Sequence, residues 1–540
     1  MANEDIFLGA GTSLTFIPEC DLYLGVGVQD GGSAFSGQTV SVIQASTGFT
    51  GNFKLVKDLY IGCTLERYKS DHSLLSSHKI KNNDEDSITI ADTVTPNATD
   101  YFVINSYGAP VPAPFDGTAK RLLSDQWLGI LESATFPTVE PELKQVNLSL
   151  GGSRNYTYQY KSITNFGTAD LSIVANHGAW LYYFLGKCTT LDCTIVDINS
   201  PSDRFTSDDT NQVLIEAVDE SGTRQTAGAG KTINGFVETG PIFYRNVGND
   251  VCPPIDEQKV LVLDDIFRVT RPNIVSGSIN NPITYTFEEQ DSDLLPSFAM
   301  EYNHSKLTGT NIYRTNSSGS VDEDLNFVQI ARGLRVNTLT MSANENEEVK
   351  MSLSLNTRNV HQLDEDILYD ARRGQVDEKE FFNFEDGSTN TANSAQEFRE
   401  PFFFSDGTFK VLGETFLKIN TLTLTMTNNL QDRRFLGVSS KEVQESIPAQ
   451  RTYEISFTGH VTDNALYKAL RNDTENTTQT IELLFTKPSG ETITLKFTDY
   501  FISSNNFPIA DDKGPIVVEA TVMPRNLSLC TVKTHWVLQG

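Results

Sequence analysis

The chain has 540 residues, a formal net charge of −28 and a sequence pI near 4.6. Such acidity argues against nonspecific binding to nucleic acid, which depends on Lys and Arg displacing counterions from phosphates; it suits either solubility or a salty environment. The length exceeds one ordinary core, so about two to four domains are expected. Frequent Phe, Tyr, Thr, Val, Ile and Leu favour strands over helices. We therefore expect a mainly β fold.

The beginning of the chain, MANEDIFLGAGTSLTF, has neither a basic leader nor an apolar run of signal-peptide length. No later segment approaches the roughly 18 consecutive apolar residues of a membrane span. A soluble product made in the cytoplasm is expected, with no membrane partner. The six cysteines are sparse for this length, so free thiols are expected in place of a disulfide framework.

Residues 1–115 are predicted to form a small N-terminal β domain. Alternating runs such as LYIGCTLERY (59–68) and DYFVINSYG (100–108) are separated by polar turns, a pattern typical of strands. The segment APVPAPFDG (109–117) follows, and its three prolines predict a stiff connector.

A larger β region is predicted over residues 116–360, interrupted by an insertion at about 190–260 that is rich in Asp, Ser, Thr and Gly. That composition indicates a surface subdomain facing outward. Residues 361–410 are predicted to be an acidic linker or arm, because 361–400 hold eleven Asp and Glu against four Lys and Arg. A last β region follows at 411–540.

The two large β regions share one local unit. DLSIVANHGAWLYYFLGK (170–187) and YEISFTGHVTDNALYKALR (453–471) both read as a strand followed by a short helix. The flanking strands and loops also follow the same order, which predicts a duplication. Each half is therefore expected to contain strands with a packing helix. The leucines that lay an apolar edge on the sheet recur at i, i+4 spacing: Leu181 and Leu185, then Leu466 and Leu470.

Signatures of catalysis and of cofactor binding are weak. QTAGAGKT (225–232) ends like a phosphate-binding loop, but Gln225 stands where that motif needs glycine. Cys188 and Cys193 have no second ligand pair at zinc-like spacing, and His177 and His460 precede the two helices with no Cys, Asp or Glu at ligand spacing. No G-x-S-x-G elbow occurs. We predict no catalytic residue, metal or cofactor.

Three stretches carry a family resemblance: INTLTLTMTNNLQDRRFLG (419–437), AQRTYEISFTGHVTDNALYKAL (449–470) and LLPSFAMEYN (294–303). Over about 120–360 and 410–530 the sequence resembles a tail tube protein, or major tail protein, of long-tailed bacteriophages. The resemblance implies that each half is a β-sandwich or partial barrel with a packing helix, and that the chain is a structural, non-enzymatic virion protein whose rings stack into a hollow tube. It also implies inner strands that join across subunits, other tail proteins at the tube ends, and DNA that passes through the lumen without specific binding.

Further expectations combine the resemblance with the residues. The loop 431–451, and its counterpart near 138–156, should project along the tube axis to the next ring, while the N-terminal domain and the insertion lie outside. Two tube units per chain predict a homotrimer that forms a pseudo-six-fold ring. The residues proposed for ring stacking are Arg433, Arg434, Lys441, Glu442 and Glu445.

Two alternatives remain open at this point. Many Tyr, Phe, Asn and Asp residues on a β scaffold also suit a carbohydrate-binding or host-adhesion protein of a virion, which would show an aromatic platform in an open groove. A tail-associated polysaccharide hydrolase would show two facing carboxylates at a fixed separation.

Overall fold

The structure of the chain is a computed structural model. It describes residues 12–19, 22–24, 35–36, 39–41, 59–69, 73–83, 87–90, 94, 101–105, 107–108, 115–116, 120–121, 130–147, 155–178, 180–191, 194–195, 212–218, 243–245, 266–270, 283–291, 295–305, 326–363, 400–412, 414–415, 418–435, 443–460, 468–469, 471, 475–477, 479–506 and 516–534. The described part is mainly β, which confirms the predicted fold class.

A short helix, α1 (Trp180–Leu185), divides the strands into two groups in chain order. The strands before it are β1 (Thr12–Pro18), β2 (Leu22–Leu24), β3 (Phe35–Ser36), β4 (Thr39–Ser41), β5 (Thr64–Tyr68), β6 (Leu74–Asn83), β7 (Ser87–Ile90), β8 (Tyr101–Ile104), β9 (Phe115–Asp116), β10 (Lys120–Arg121), β11 (Ile130–Thr135), β12 (Val139–Val146), β13 (Tyr158–Phe166) and β14 (Ala169–Val174).

The strands after α1 begin with β15 (Gly186–Leu191), β16 (Thr194–Ile195), β17 (Gln212–Val218), β18 (Phe243–Arg245), β19 (Ile266–Thr270), β20 (Ile283–Glu289), β21 (Phe298–Ser305), β22 (Asn326–Asn344), β23 (Lys350–Asn356) and β24 (Asn359–Leu363). A 3-10 turn (Phe404–Asp406) follows, and then β25 (Gly407–Val411), β26 (Glu414–Thr415), β27 (Ile419–Thr427), β28 (Gln431–Arg433), β29 (Glu445–Ile447), β30 (Thr452–His460), β31 (Ile481–Thr486), β32 (Thr492–Asn506) and β33 (Val517–Thr534).

An N-terminal sheet has the strand order β18-β2-β8-β5-β6-β7-β4-β3. Its buried side chains include Leu65, Ile80, Phe102 and Ile104. The strand β18 belongs to the predicted insertion, yet it pairs with β2 through Tyr244 opposite Tyr23. The insertion and the N-terminal region thus share one sheet.

The main sheet has the strand order β11-β14-β23-β22-β27-β30-β33-β32-β31-β25-β26. Further strands extend it to the side of this path: β21 pairs with β22, β1 pairs with β21, and β20 bridges β15 and β33. The first strand of the chain, β1, therefore belongs to the main sheet, with Phe16 opposite Met300.

One hydrophobic core runs along the whole main sheet. The alternating sequence of β27, INTLTLTMT, explains how: Leu422, Leu424 and Met426 point into the core and the intervening threonines point away. The helix α1 is buried on every side because it packs against β22, β20 and β15. Phe298 in β21 meets the rings of Trp180 and Tyr183 edge to face.

Candidate assembly surfaces

The main sheet contains the same run of four strands twice. β11, β14, β23 and β22 are neighbours, and β27, β30, β33 and β32 continue the sheet without a break. In each run a hairpin connects the first strand to the second along the chain, and helical residues follow the second strand. In each run, too, the fourth strand precedes the third in sequence and pairs with it.

The strands β22 and β27 join the two runs inside the chain. Residues Thr338–Asn344 lie antiparallel to Thr421–Thr427, with Thr340 opposite Thr425. The joint shows how the outer strand of one run can pair with an equivalent strand of another run, here in an antiparallel arrangement.

Two edge strands of the sheet are equivalent to the two strands of this joint. β11 corresponds to β27 and pairs with β14, while residues 504–506 of β32 correspond to 338–340 of β22, since both follow a bulge, and pair with β33. Within the part of the chain that the structure describes, no further strand lies beside either edge. Leu131 and Phe501 are exposed there. Unpaired edges present rows of N–H and C=O groups that can template pairing with another chain.

The two runs together form a run of eight neighbouring strands, from β11 to β32. One face of these strands packs on the core, and the side chains of the other face are half-exposed or exposed and rich in hydroxyl groups. We call it the hydroxyl face. Its side chains bond to one another across strands: the Thr421 and Thr458 hydroxyls are 2.7 Å apart, and those of Ser456 and Thr521 are 3.2 Å apart. The members are Ser133, Thr135, Ser172, Thr338, Thr340, Ser342, Ser352, Ser354, Thr421, Thr423, Thr425, Thr427, Thr452, Ser456, Thr458 and Thr521.

The few charges on the hydroxyl face are mostly negative. Lys350 is a basic residue there, and its ammonium lies 2.8 Å from the carboxylate of Glu132. The hydrogen bond from Lys350 is the main cause that lowers the pKa of Glu132, so this pair is ionised and neutralised. The acidic side chains Asp170, Glu454 and Glu519 are exposed. A face of this kind offers little to hold a phosphate backbone.

Two hairpins leave the same end of the main sheet. β12 pairs with β13 between β11 and β14, and β28 pairs with β29 between β27 and β30. Arg434 connects the two hairpins, because its guanidinium donates to the Thr164 carbonyl at 3.1 Å and to Asn165 Oδ1 at 2.7 Å. The segment 431–451, expected to be a loop, thus contains a pair of short strands.

The first hairpin is exposed on both faces. Tyr158 and Tyr160 are about half exposed, at 53% and 50%, and they lie on one face of β13 because side chains alternate along a strand. Tyr156 precedes them at the same two-residue spacing and is 57% exposed. Leu143, on the facing strand, is 58% exposed. Such a stripe marks a surface that is available to a partner.

The residues predicted for ring stacking fall on or beside the second hairpin. Arg433 is exposed and donates to Gln431, while Glu445 is half-buried opposite it. Arg434 follows β28 and holds the first hairpin. Lys441 and Glu442 lie outside the described residues.

A buried arginine fixes the base of the second hairpin to the N-terminal region. Arg335 donates to the carbonyls of Leu295 and Ser446, each at 2.9 Å, and its guanidinium stacks 3.9 Å above the Tyr107 ring. The Tyr107 hydroxyl is 3.2 Å from Ser446 Oγ, which in turn donates to Asp432. Stacking and two carbonyl contacts together hold this guanidinium in one orientation.

Two further buried arginines belong to the same cluster. Arg332 donates to the carbonyls of Leu59 and Ile61, and Arg358 donates to those of Gly62 and Tyr107. Carbonyl oxygens of the N-terminal region therefore satisfy cations that project from the main sheet. This cluster connects the two sheets.

Two of the four predicted packing leucines lie among the described residues. Leu181 and Leu185 lie in α1 and are fully buried in the core. Leu466 and Leu470 lie outside the described residues, where Lys468 and Ala469 form the described part of a helix.

The weak motifs gain no support. The Gly-Lys-Thr segment at 225–232 and Cys193 lie outside the described residues. His177 is buried, and the backbone of His460 pairs within the main sheet. Among the residues that the structure describes, no group of His, Cys, Asp or Glu is arranged to hold a metal. In that same part of the chain, every helix is too short or too polar to span a bilayer.

The sequence predictions did not include the two free edges, the hydroxyl face or the arginine cluster. The run TLTLTMT in β27 carried a usable signal for the hydroxyl face, since a regular Thr/Leu alternation marks a strand with one apolar and one hydroxyl side. The cluster had no such signal, because all of its carbonyl partners except Leu295 are more than 100 residues away along the chain.

The comparisons with known proteins include a match to a protein family. A family model described as "Phage tail tube protein" matches residues 86–523. A solved structure titled "Virion of native gene transfer agent (GTA) particle" is 16% identical, covers 23% of this chain and 95% of its own, and has a TM-score of 0.17. No curated protein gives a significant match. Because the family model spans most of its length, the chain belongs to the phage tail tube proteins, the structural proteins of the tail tube in the virion.

Proposed function

We propose that three copies of this chain close each ring of the tail tube. The observation that carries the proposal is the strand order, in which one run of four strands occurs twice in a single continuous sheet. Three chains then contribute six runs, which gives true three-fold and approximate six-fold symmetry. The structural role accounts for the protein without any catalytic activity.

The ring closes by repeating the joint that the chain already contains. The edge of β32 that starts at residues 504–506 pairs with β11 of the next copy, as the edge of β22 that starts at residues 338–340 pairs with β27 inside the chain. Every interface then uses the same antiparallel geometry, and the two edges that are free in one chain disappear in the ring.

The resulting barrel is wide enough for duplex DNA to pass through it. Strands in a barrel lie about 4.8 Å apart and tilt by about 40°. A barrel of three sets of eight strands then has a diameter of about 50 Å between opposite backbones, whereas a barrel of one set has a diameter of about 16 Å. Duplex DNA is about 20 Å wide, so it passes through the larger barrel and not through the smaller one.

The hydroxyl face lines the lumen in this arrangement, because the opposite face of the sheet is covered by the core. Short Ser and Thr side chains keep the passage wide. The acidic residues repel phosphates, and the nearby lysine is already paired with Glu132. DNA therefore meets a wall that does not hold it through counterion release.

The two hairpins point along the tube axis and contact the adjacent ring. They leave the sheet at its end, and the first one exposes an aromatic stripe. The N-terminal sheet and the insertion lie on the outside of the tube, and the pairing of β18 with β2 supports a common location for both. Other tail proteins contact the rings at the two ends of the tube.

A cross-linking experiment tests the ring. Thr135→Cys in β11 and Asn506→Cys in β32, which the repeated joint brings to diagonal positions, should be linked by a short bifunctional maleimide from each chain to the next and give a denaturing-gel ladder that stops at three chains of 59.8 kDa. Thr340→Cys with Thr425→Cys is the matched control, since these residues face each other within one chain. A ladder that continues to six chains, or tubes without any links, would contradict the proposed ring.

A further inference from the structure

Two side chains of the first run, β11 to β22, hold the second hairpin in place. Arg335 of β22 and Asn356 of β23 stand opposite each other just before a bulge in β22. The Arg335 guanidinium donates to the Ser446 carbonyl at 2.9 Å. The Asn356 amide donates to Asp432 Oδ1 at 3.1 Å. Asp432 and Ser446 also stand opposite each other, so a cross-strand pair of one run binds a cross-strand pair in the hairpin of the neighbouring run.

The second run, β27 to β32, has an exposed apolar pair at the equivalent place. β32 contains a bulge of one residue, as β22 does. With the two bulges aligned, Phe501 stands where β22 has Arg335, and Met523 is its partner across the strands. Arg335 is 3% exposed, whereas Phe501 and Met523 are 47% and 48% exposed. The second run therefore leaves open a place that a hairpin covers in the first run.

The first hairpin carries a side-chain pair that is equivalent to Asp432 and Ser446. β11 and β27 each contain a bulge of one residue as well. Lys144 follows the bulge of β11 by as many residues as Asp432 follows the bulge of β27. Tyr160 stands opposite Lys144 in the hairpin and is 50% exposed. One chain thus exposes both sides of a contact that it cannot close within itself, because β11 and β32 lie at opposite ends of the eight strands.

We propose that Phe501 and Met523 pack on the first hairpin of the next chain in the same ring. There they cover the ring of Tyr160 and the aliphatic stem of Lys144. The occupant of this exposed surface is therefore a second copy of the chain. The inference rests on the proposed ring, and it adds the side chains that recognise the neighbouring chain beside the strand pairing. It concerns two chains of one ring and not the stacking of rings.

The chemistry of the four side chains suits this contact. Two aromatic rings that meet gain more than their buried area alone, and a methionine thioether fills irregular apolar gaps beside them. A lysine can lay its methylene groups on apolar surface while its ammonium stays in water. Single exposed apolar residues are ordinary on a protein surface, but Phe501 and Met523 are neighbours across two strands. Contiguous apolar surface of this kind marks an interaction site.

The contact also discriminates between the two hairpins. Asp432 of the second hairpin would lose its water beside Met523 without gaining the amide donor that Asn356 provides inside the chain. The apolar pair of the second run therefore fits the first hairpin, while the polar pair of the first run fits the second hairpin. This choice keeps the two halves of the chain in alternation around the ring.

A charge-rescue experiment tests the contact. Met523→Lys places a second ammonium beside Lys144 and should raise the protein concentration needed for assembly by about tenfold at low salt. Lys144→Glu, added to the same chain, pairs opposite charges and should restore assembly. Leu74→Lys, at an exposed leucine of the N-terminal sheet, is the matched control and should assemble normally. Normal assembly of Met523→Lys, or the same weakening with and without Lys144→Glu, would overturn the contact.

Cysteine cross-linking shows whether the contact lies within a ring. Met523→Cys with Lys144→Cys should link neighbouring chains through a short bifunctional maleimide, to an extent that the unaltered chain with its six native cysteines does not reach. Asn356→Cys with Asp432→Cys is the matched control, because these side chains touch inside one chain and should link without a gain in mass.

The length of the ladder separates this inference from the proposed ring. It should end at the same number of chains as the ladder of Thr135→Cys with Asn506→Cys. No link in assembled tubes, or a ladder that continues beyond that number, would place the first hairpin elsewhere and contradict the contact. Two ladders that both end at a number other than three would contradict the ring of three chains and leave the contact standing.

Discussion

His361 is a base held neutral by its surroundings. Its ring nitrogen Nε2 faces the guanidinium of Arg332, which can only donate, so the imidazole accepts. Burial is the main cause that lowers the pKa of His361 to about 2, and the charges of Arg332 and Arg358 lower it further. A proton on this ring would add a fourth cation to the three arginines in the junction between the two sheets.

The junction should therefore weaken in acid. The unfolded chain protonates His361 near its ordinary pKa of about 6.5, while the folded chain keeps it neutral down to a pKa of about 2. The stability that this neutral ring contributes is fully present above pH 6.5 and declines as the pH falls. Between pH 7 and pH 5 the loss should be about 2 kcal/mol.

His361→Gln should remove that loss, because the amide oxygen still accepts from Arg332 and does not titrate in this range. Urea unfolding of the unassembled chain at pH 7 and pH 5 measures the effect, and His78→Gln, in the N-terminal sheet, controls for the loss of a histidine. A pH dependence in His361→Gln as steep as in the wild type would show that the buried imidazole does not cause it.

At the scale of secondary-structure elements, the burial of one face decides which strands can be predicted from the sequence. INTLTLTMT alternates because one side of β27 packs on the core, and it lies in the predicted β region 411–540. The sequence of β12, VEPELKQV, contains a proline and mostly exposed residues and has no apolar run for a core, so the segment 138–156 was predicted to be a loop. β28 has only three residues, all polar and exposed, and carries no pattern at all.

The proposed lumen wall leads to a prediction about DNA. Ser352→Lys adds a cation to the hydroxyl face at an exposed position of β23 and should make assembled tubes retain labelled duplex DNA at low salt, with release as salt rises. Ser77→Lys, at an exposed position of the N-terminal sheet, is the matched control. Equal retention by the two variants would argue against the hydroxyl face as the lumen wall.

At the scale of the whole molecule, the sequence predicted the class of protein and the repeated order of elements more readily than their long-range pairing. The family match establishes a tube protein, in preference to an adhesion protein or a hydrolase. The continuous sheet depends on contacts such as Thr340 with Thr425, and the junction on contacts such as Arg332 with Leu59. Such pairs are too far apart in sequence for periodicity or capping patterns to identify them.

The central claim is that three chains close a ring of twenty-four strands. Averaged electron-microscopy images of assembled tubes test it most directly, because the three-fold ring departs from six-fold symmetry where the two halves of the chain differ. The account predicts three N-terminal sheets around an inner barrel to which each chain contributes the eight neighbouring strands from β11 to β32. Six identical full-length chains around the ring, each contributing four strands to the barrel, would contradict it.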